Sequence, residues 1–444
     1  MGNEVRRLGS DTHARGSWKF AWTGACVAVF LGSWSLLHHG WNPRAARAGD
    51  APLYQSYAHQ IVDGKVPYRD FSIEYPPGFL LPALAPEATA SPVGFESYDQ
   101  DFDRWMAGAG TVLILFAALA LSLLGARGEH FTAALGFVAV SPLLLGNLML
   151  THFDLWVTAL AIGGLTALLA GRNKSGGVLL GAAIATKLWP AVLLPLALVW
   201  IWRRLGKAAT AKWLLLVIAV CAVFFGPFAV LAPTGLGHSF ALQINRPLQL
   251  ESLGSTLLLA AHNLGGLSVS VTTGYGSRNI AAPGAAAVVV ASTCLTLVGL
   301  CAVWIAFARG PARADRLATS AAASIAVFIA FGKVFSPQYL IWLIPFVPLA
   351  RTRLATLLLG VALALTQFYF PTHYGVLADL HQWPAWLLLA RDLTVVAVAV
   401  ELGRVLLQRD SIDYVDDSCR LPSASMRAAR SSAATKTGPS IAVR

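Results

Sequence analysis

Long apolar runs alternate with short polar breaks along this chain. Each run is about 20 residues, enough for a helix to cross a hydrocarbon core of roughly 30 Å. Spanning segments are expected near 18–38, 105–125, 131–150, 154–171, 213–232, 283–308, 316–332, 338–350, 354–370 and 384–408. The stretch 176–202 does not fit one crossing, because Arg172 and Lys174 precede it and Arg203 and Arg204 follow it. Its interior, Ala185 to Pro190, carries Lys187 and then a proline. Proline interrupts the helical hydrogen-bond ladder, and an intramembrane lysine is costly unless it reaches water or a partner. The pattern predicts a hairpin of two short helices with Lys187 at its outward turn. The whole then reads as an all-α polytopic membrane protein, a bundle of about 10–12 transmembrane helices.

With that turn in place, every basic cluster falls on one side: the N-terminus, Arg127, Arg172/Lys174, Arg203 to Lys212, Arg309 to Arg316, Arg351/Arg353 and the C-terminal tail. Cytoplasmic loops carry such an excess of Lys and Arg. The opposite, outer side receives loops 39–104 and 233–282, Thr151 to Asp154, Lys333 to Gln338 and Pro371 to Pro384. Residues 1–17 read as a cytoplasmic N-terminus, 18–408 as the membrane domain, and 409–444 as a disordered cytoplasmic tail, since large apolar residues all but vanish after Leu421. Ala46-Arg47-Ala48 looks like a signal-cleavage site. The first apolar run, however, is longer than the usual 7–15-residue signal core, so a retained helix is expected.

Composition sharpens this reading. Charged residues are 12% and apolar residues 56% of the chain, with mean hydropathy +0.62, against about 25% charged in soluble proteins. The net charge of +11 lies in the topogenic clusters, which argues against nucleic acid. Cys26, Cys221, Cys294 and Cys301 sit within apolar runs and Cys419 in the tail. None has metal-ligand spacing or an evident disulfide partner. His238, His262, His373 and His381 likewise lack ligand spacing.

The first outer loop is the densest polar stretch. Asp50, Asp70 and Glu74 share it with Tyr54, Tyr68 and Tyr75, and Tyr75-Pro76-Pro77-Gly78 makes a stiff turn. Such a loop can hold a general base against a hydroxyl, although any one of these carboxylates could equally be solvated. Asp99, Asp101 and Asp103 are expected to be solvated loop charges. Leu53, Tyr57 and Ile61 share one face of an amphipathic helix expected to roof the site along the interface. Lys187, Arg246 and Lys333 fall on the same side. They either snorkel to the headgroups or clamp a lipid-linked phosphate. His152 and Asp154 flank a very short turn and must lie close to the bilayer.

Together these passages resemble the family-87 membrane glycosyltransferases of the GT-C class, which use polyprenyl-phosphate sugars and whose best-understood members are mannosyltransferases. The likeness rests on Gly49-Asp50 with Leu53-Tyr54, Tyr57-Ala58 and Gly64; on Pro67 to Phe71 and Glu74 to Gly78; on Phe153 to Leu155; and on Ala185 to Pro190 with Leu194-Pro195. It continues through Arg246 to Leu253 and Lys333 to Trp342. The resemblance implies a catalytic acid in the first outer loop. Asp50 best matches it, with Asp70 as the alternate, since an Arg/Ala-rich spacer separates Asp50 from the first helix. It further implies substrate-binding roles for Tyr54, Tyr68, Glu74, Tyr75, His152, Asp154, Lys187, Arg246, Glu251, Lys333 and Gln338. The implied reaction is a single displacement that moves a sugar, by default mannose, to a hydroxyl of an envelope lipid or glycan. No cofactor is required, and clustered carboxylates would suit a divalent cation. The expected partners are a polyprenyl-phosphate sugar donor, a glycolipid or glycan acceptor and the lipid bilayer. A lipid flippase or other transporter is the rival reading, in which charges would lie at mid-membrane rather than at one face.

Overall fold

The computed structural model describes residues 2–41, 49–90 and 95–420, with side chains for 17–39, 49–90 and 96–408. The expected tail, 409–444, lies outside the described side chains, and beyond Arg420 outside the described residues. The Ala46 to Ala48 sequence lies outside them too.

The chain is an all-α polytopic membrane protein. Six of its described helical stretches are long and apolar enough to cross a membrane. Helix α1 (Gly2–Leu36) precedes α2 (Ala51–Val62) and α3 (Leu80–Thr89), which fold within the first long loop. Then come α4 (Phe95–Leu123), α5 (Gly128–Leu145), the single turn α6 (Leu148–Thr151), α7 (Asp154–Leu169) and α8 (Asn173–Thr186). Helix α9 (Leu194–Leu231) is two helices joined at Gly206, whose φ of 82° lies outside the helical region. Within the second long loop lie α10 (Pro233–Ile244), α11 (Leu253–Gly265) and an antiparallel hairpin, β1 (Ser270–Gly274) with β2 (Ser277–Ala281). The chain closes with α12 (Ala285–Arg309), α13 (Ala314–Phe331), the turn α14 (Leu340–Leu343), α15 (Arg353–Tyr369), the short α16 (Tyr374–Ala378) and α17 (Gln382–Arg420). Helices α4, α7, α8 and α9 pack successively, and α17 packs on α13 and α15.

Lys187 marks the predicted hairpin. Helix α8 ends at Thr186, Lys187 is extended (φ −154°, ψ 140°), and a 3-10 turn from Trp189 to Leu193 leads back into α9. The segment 338–350, expected as one span, is instead three short pieces: 3-10 turns at Pro337–Tyr339 and Val347–Ala350 around α14. Pro337, Pro345 and Pro348 remove the donors that a continuous helix needs. The acids expected as solvated charges are a second correction. Asp99, Asp101 and Asp103 lie in α4, and Asp101 and Asp103 are buried. Asp101 accepts from Arg104 at 2.5 Å, and Asp103 stands 2.6 Å from His38 Nδ1.

The basic turns gather at one end of the bundle and are tied down there. Lys19 donates to the Ala126 carbonyl (2.8 Å) and Arg351 to that of Leu124 (2.5 Å). Arg203 donates to the carbonyls of Ala308 and Gly310, and buried Arg316 to those of Ala306 (2.8 Å) and Pro311 (2.9 Å). These bonds satisfy carbonyls left open at helix ends. The long loops gather at the other end.

Close backbone approach holds the first loop on that end. A Cβ on Gly78 would stand 2.7 Å from the Ala185 carbonyl carbon and oxygen, two residues before Lys187, and a Cβ on Gly49 would overlap Thr151. Only glycine fits this closely against backbone at Gly78 and against the Thr151 side chain at Gly49. Gly78→Ala is therefore expected to cost about 1–3 kcal/mol, read as a lower thermal midpoint in detergent. Gly226→Ala, whose new methyl group meets nothing within 4 Å, should leave the midpoint at or above wild type.

Candidate active site

Helix α2 sets the position of Asp50, which occupies its N-cap. The helix buries Ala51, Tyr54, Tyr57 and Ala58. The packed face is thus rotated from the expected Leu53–Tyr57–Ile61 stripe, and Leu53 is exposed. Tyr54 causes the rotation: its ring packs against Phe79, Phe102 and Phe153 at centroid distances of 5.1, 5.5 and 5.6 Å. That anchor leaves its hydroxyl to donate to Asp50 Oδ2 at 3.2 Å, where Tyr75 also donates at 3.2 Å. Burial, reinforced by the charge of Asp50, raises both phenols well above their ordinary pKa. They stay neutral and remain donors. His152 Nε2 stands 3.6 Å from the same oxygen.

Asp50 lines a cavity of about 680 Å³ together with Glu74, Tyr75 and His152. Lys187, Arg246 and Lys333 line it too, as do Glu251 and Gln338. Four segments far apart in sequence therefore bring carboxylates and cations to one space. Lys187 Nζ donates to Asp154 Oδ1 at 2.7 Å and lies 4.8 Å from the Phe153 ring centroid and 5.4 Å from those of Tyr339 and Trp342. Asp154 is fully buried and also accepts from Trp342 Nε1 at 2.5 Å. Arg246 donates twice to the Tyr275 carbonyl (3.1 and 2.8 Å) and stands 3.8 Å from Glu74. Burial raises the pKa of Glu74, Arg246 opposes the shift, and Asp50 adds to it. Lys333 donates to the Ile244 carbonyl at 2.6 Å, and burial lowers its pKa.

Four sequence-predicted residues stand apart from the cavity lining: Tyr54, which meets it only through Asp50, and Asp70, Tyr68 and Asp154. Asp70 is clasped by Arg69 (2.9 and 3.0 Å) and by the Val66 amide (2.7 Å), and these bonds lower its pKa to about 2. Tyr68 is buried with φ 66°, donates to the Tyr75 carbonyl at 2.7 Å, and packs on Phe228. Asp154 lies behind Lys187. The sequence reading did not assign Trp189, Trp342, Gln243 and Gln249, all of which line the cavity. Trp189 and Trp342 are stacked at 4.8 Å. The motifs containing Trp189 and Trp342 carried that signal, but their tryptophans read as ordinary apolar residues.

Glu251 has no counterpart in the first loop. It is fully buried, accepts from Tyr369 at 2.7 Å through Oε1, and its carbonyl accepts from Arg391 at 2.9 Å. Burial raises its pKa from 4.5 to about 7, against the pull of Arg391 and Tyr369. Among the described residues no group of three His, Cys, Asp or Glu side chains is placed to hold a metal ion.

The profile of glycosyltransferase family 87 matches residues 73–337, from Ile73 in the acidic loop through the Lys333 segment. The chain belongs to glycosyltransferase family 87. Over 124 residues this family 87 protein is 33% identical to alpha-(1->6)-mannopyranosyltransferase A of Mycobacterium tuberculosis. That match covers 26% of this chain and about a quarter (24%) of the curated relative's length.

Two outcomes are expected. Asp154→Asn leaves Lys187 without its counter-charge, and should cost about 3 kcal/mol of stability, the low end for a broken buried pair because Lys187 reaches the cavity. Thermal unfolding in detergent measures it. The folded protein holds the Glu251 proton more tightly than the unfolded chain does. Its stabilising contribution is therefore complete below pH 4.5 and lost as pH rises through about 7. The midpoint of Glu251→Gln should accordingly gain on wild type as pH rises from 5 to 8.

Proposed function

We propose that this family 87 protein is a hexosyltransferase that takes a sugar, mannose first among the candidates, from a polyprenyl-phosphate donor. The acceptor is a hydroxyl of an envelope lipid or glycan at the outer face of the plasma membrane. The reading rests on one observation: Asp50 shares a single cavity with three cations, Lys187, Arg246 and Lys333. Asp50 is the general base. Tyr54, Tyr75 and His152 all address its Oδ2, which leaves Oδ1 for the incoming hydroxyl. As the acceptor oxygen forms its bond to the anomeric carbon, the bond to phosphate oxygen breaks, Asp50 takes the acceptor proton, and the configuration inverts.

The departing polyprenyl phosphate gathers negative charge, which the three cations stabilise. They supply positive charge of the kind a divalent ion would also bring. Leu297, Leu300 and Phe328 extend the cavity wall along α12 and α13, a surface suited to an isoprenoid chain. The similarity to a mannopyranosyltransferase supports mannose as the sugar.

Asp50→Asn should slow transfer from radiolabelled polyprenyl-phosphomannose to mixed membrane lipid by about 10²–10⁴, with donor binding retained. Asp70→Asn should transfer near the wild-type rate. Equal losses in both variants would remove Asp50 from the role of base. A wild type that moves labelled lipid across vesicles without transferring sugar would establish the flippase instead.

A further inference from the structure

One wall of the cavity is not used by this mechanism. Gln249 and Glu251 line it from the segment Leu248 to Glu251, which makes one bridge at Gln249 to Asn279, turns at Leu250 and Glu251, and is pinned from both sides. The Leu250 amide donates to the Arg278 carbonyl and the Ile280 amide to that of Leu248, each at 2.9 Å, so the segment lies against β2. From the other side, the Gln249 amide donates to the Lys333 carbonyl at 3.0 Å. The Gln249 side chain donates to Ser336 Oγ at 2.9 Å and reaches Glu251 Oε2 only at 3.5 Å. Tyr369 holds Oε1 from behind. Glu251 therefore presents a carboxylate whose second oxygen has a single long contact. Gln249 is 3% exposed, and its Oε1 is buried without a hydrogen bond. Buried acceptors left open are costly unless a ligand completes them.

Lys333 joins this wall to the proposed phosphate site. A sugar bonded to that phosphate must therefore lie beside it, with its ring hydroxyls within reach of neighbouring acceptors. We infer that Gln249 and Glu251 form the subsite that reads the ring hydroxyls of the donor sugar, an inference that rests on the donor reading above. The carboxylate accepts from one hydroxyl through Oε2, and the amide accepts from its neighbour through Oε1. A rigid pair of this kind rejects an epimer by leaving its own groups unpaired.

The test measures binding of three lipids to wild type, Glu251→Gln and Gln249→Ala in detergent: polyprenyl-phosphomannose, polyprenyl-phosphoglucose (its C2 epimer) and sugar-free polyprenyl phosphate. It also measures kcat for transfer from the two that carry sugar. Glu251→Gln keeps an oxygen for Tyr369 and loses the charge. Both variants should weaken binding of the sugar-bearing lipid that wild type prefers by about 10- to 100-fold. They should also narrow the ratio between epimers and bind the sugar-free lipid as wild type does. Parallel loss for all three lipids, with a lower thermal midpoint, would reduce the pair to a structural role. Unchanged binding with a collapsed kcat would move Glu251 into the chemistry, and a wild type blind to the epimers would overturn the subsite while leaving the donor reading intact. A wild type that bound none of the three lipids would overturn the donor reading itself, and this inference with it.

Discussion

Lys187 stands at the end of an apolar helix, and its charge is tolerable there because Asp154 meets it at 2.7 Å. An ammonium and a carboxylate each lose several kcal/mol of hydration on burial, and only close pairing with further hydrogen bonds returns it. Trp342 supplies one such bond to Asp154, and the rings of Phe153, Tyr339 and Trp342 surround the ammonium. The pair therefore joins three places: the start of α7, the break between α8 and α9, and the irregular segment around α14. Each is a point where a membrane helix is interrupted, and interruption is admissible only where protein or water satisfies the freed backbone. One ion pair and its aromatic shell occupy the junction of all three.

The pattern of apolar runs and basic clusters made the bundle legible, including the turn at Lys187, because hydropathy and topogenic charge are properties of single segments. The segment 338–350 was misread because Pro345 and Pro348 within it, and Pro337 just before it, outweigh its apolar composition. Asp103 was misread because its partner, His38, belongs to the end of the first span, and nothing local marks such pairing. Asp101 pairs with Arg104 three residues on, a contact that becomes visible only once α4 is seen to begin before residue 101 rather than at 105. Buried charges inside later helices were equally silent: Arg391 and Asp392 form a pair at 2.9 Å within α17, and Thr256 donates to Asp392 from α11.

The candidate site was legible as a set of residues but not as an arrangement. Asp50 and Asp70 could not be separated by type or spacing, since both are loop acids beside tyrosines. What separates them is three-dimensional. Asp50 is addressed by two buried phenols and faces the cavity, whereas Asp70 spends its oxygens on Arg69 and the Val66 amide. Gln249 escaped notice for a related reason: an isolated glutamine in a loop carries no signal until β2, Ser336 and Glu251 close around it.

The charges in the cavity come from segments that meet nowhere else, so the electrostatics of the site depend on how the loops dock. The first loop docks closely, with Gly78 on the backbone at the end of α8 and Gly49 against the Thr151 side chain beside His152. Because Gly49 immediately precedes Asp50, and Gly78 approaches the carbonyl two residues before Lys187, the same contacts that seat the loop set the separation of carboxylate and cation. The second loop adds a tie from above, where Arg246 holds the Tyr275 carbonyl of the hairpin and faces Glu74. A displacement of either loop would pull cation from carboxylate before it exposed much apolar surface. Activity should therefore be more sensitive than stability to substitutions at these docking points.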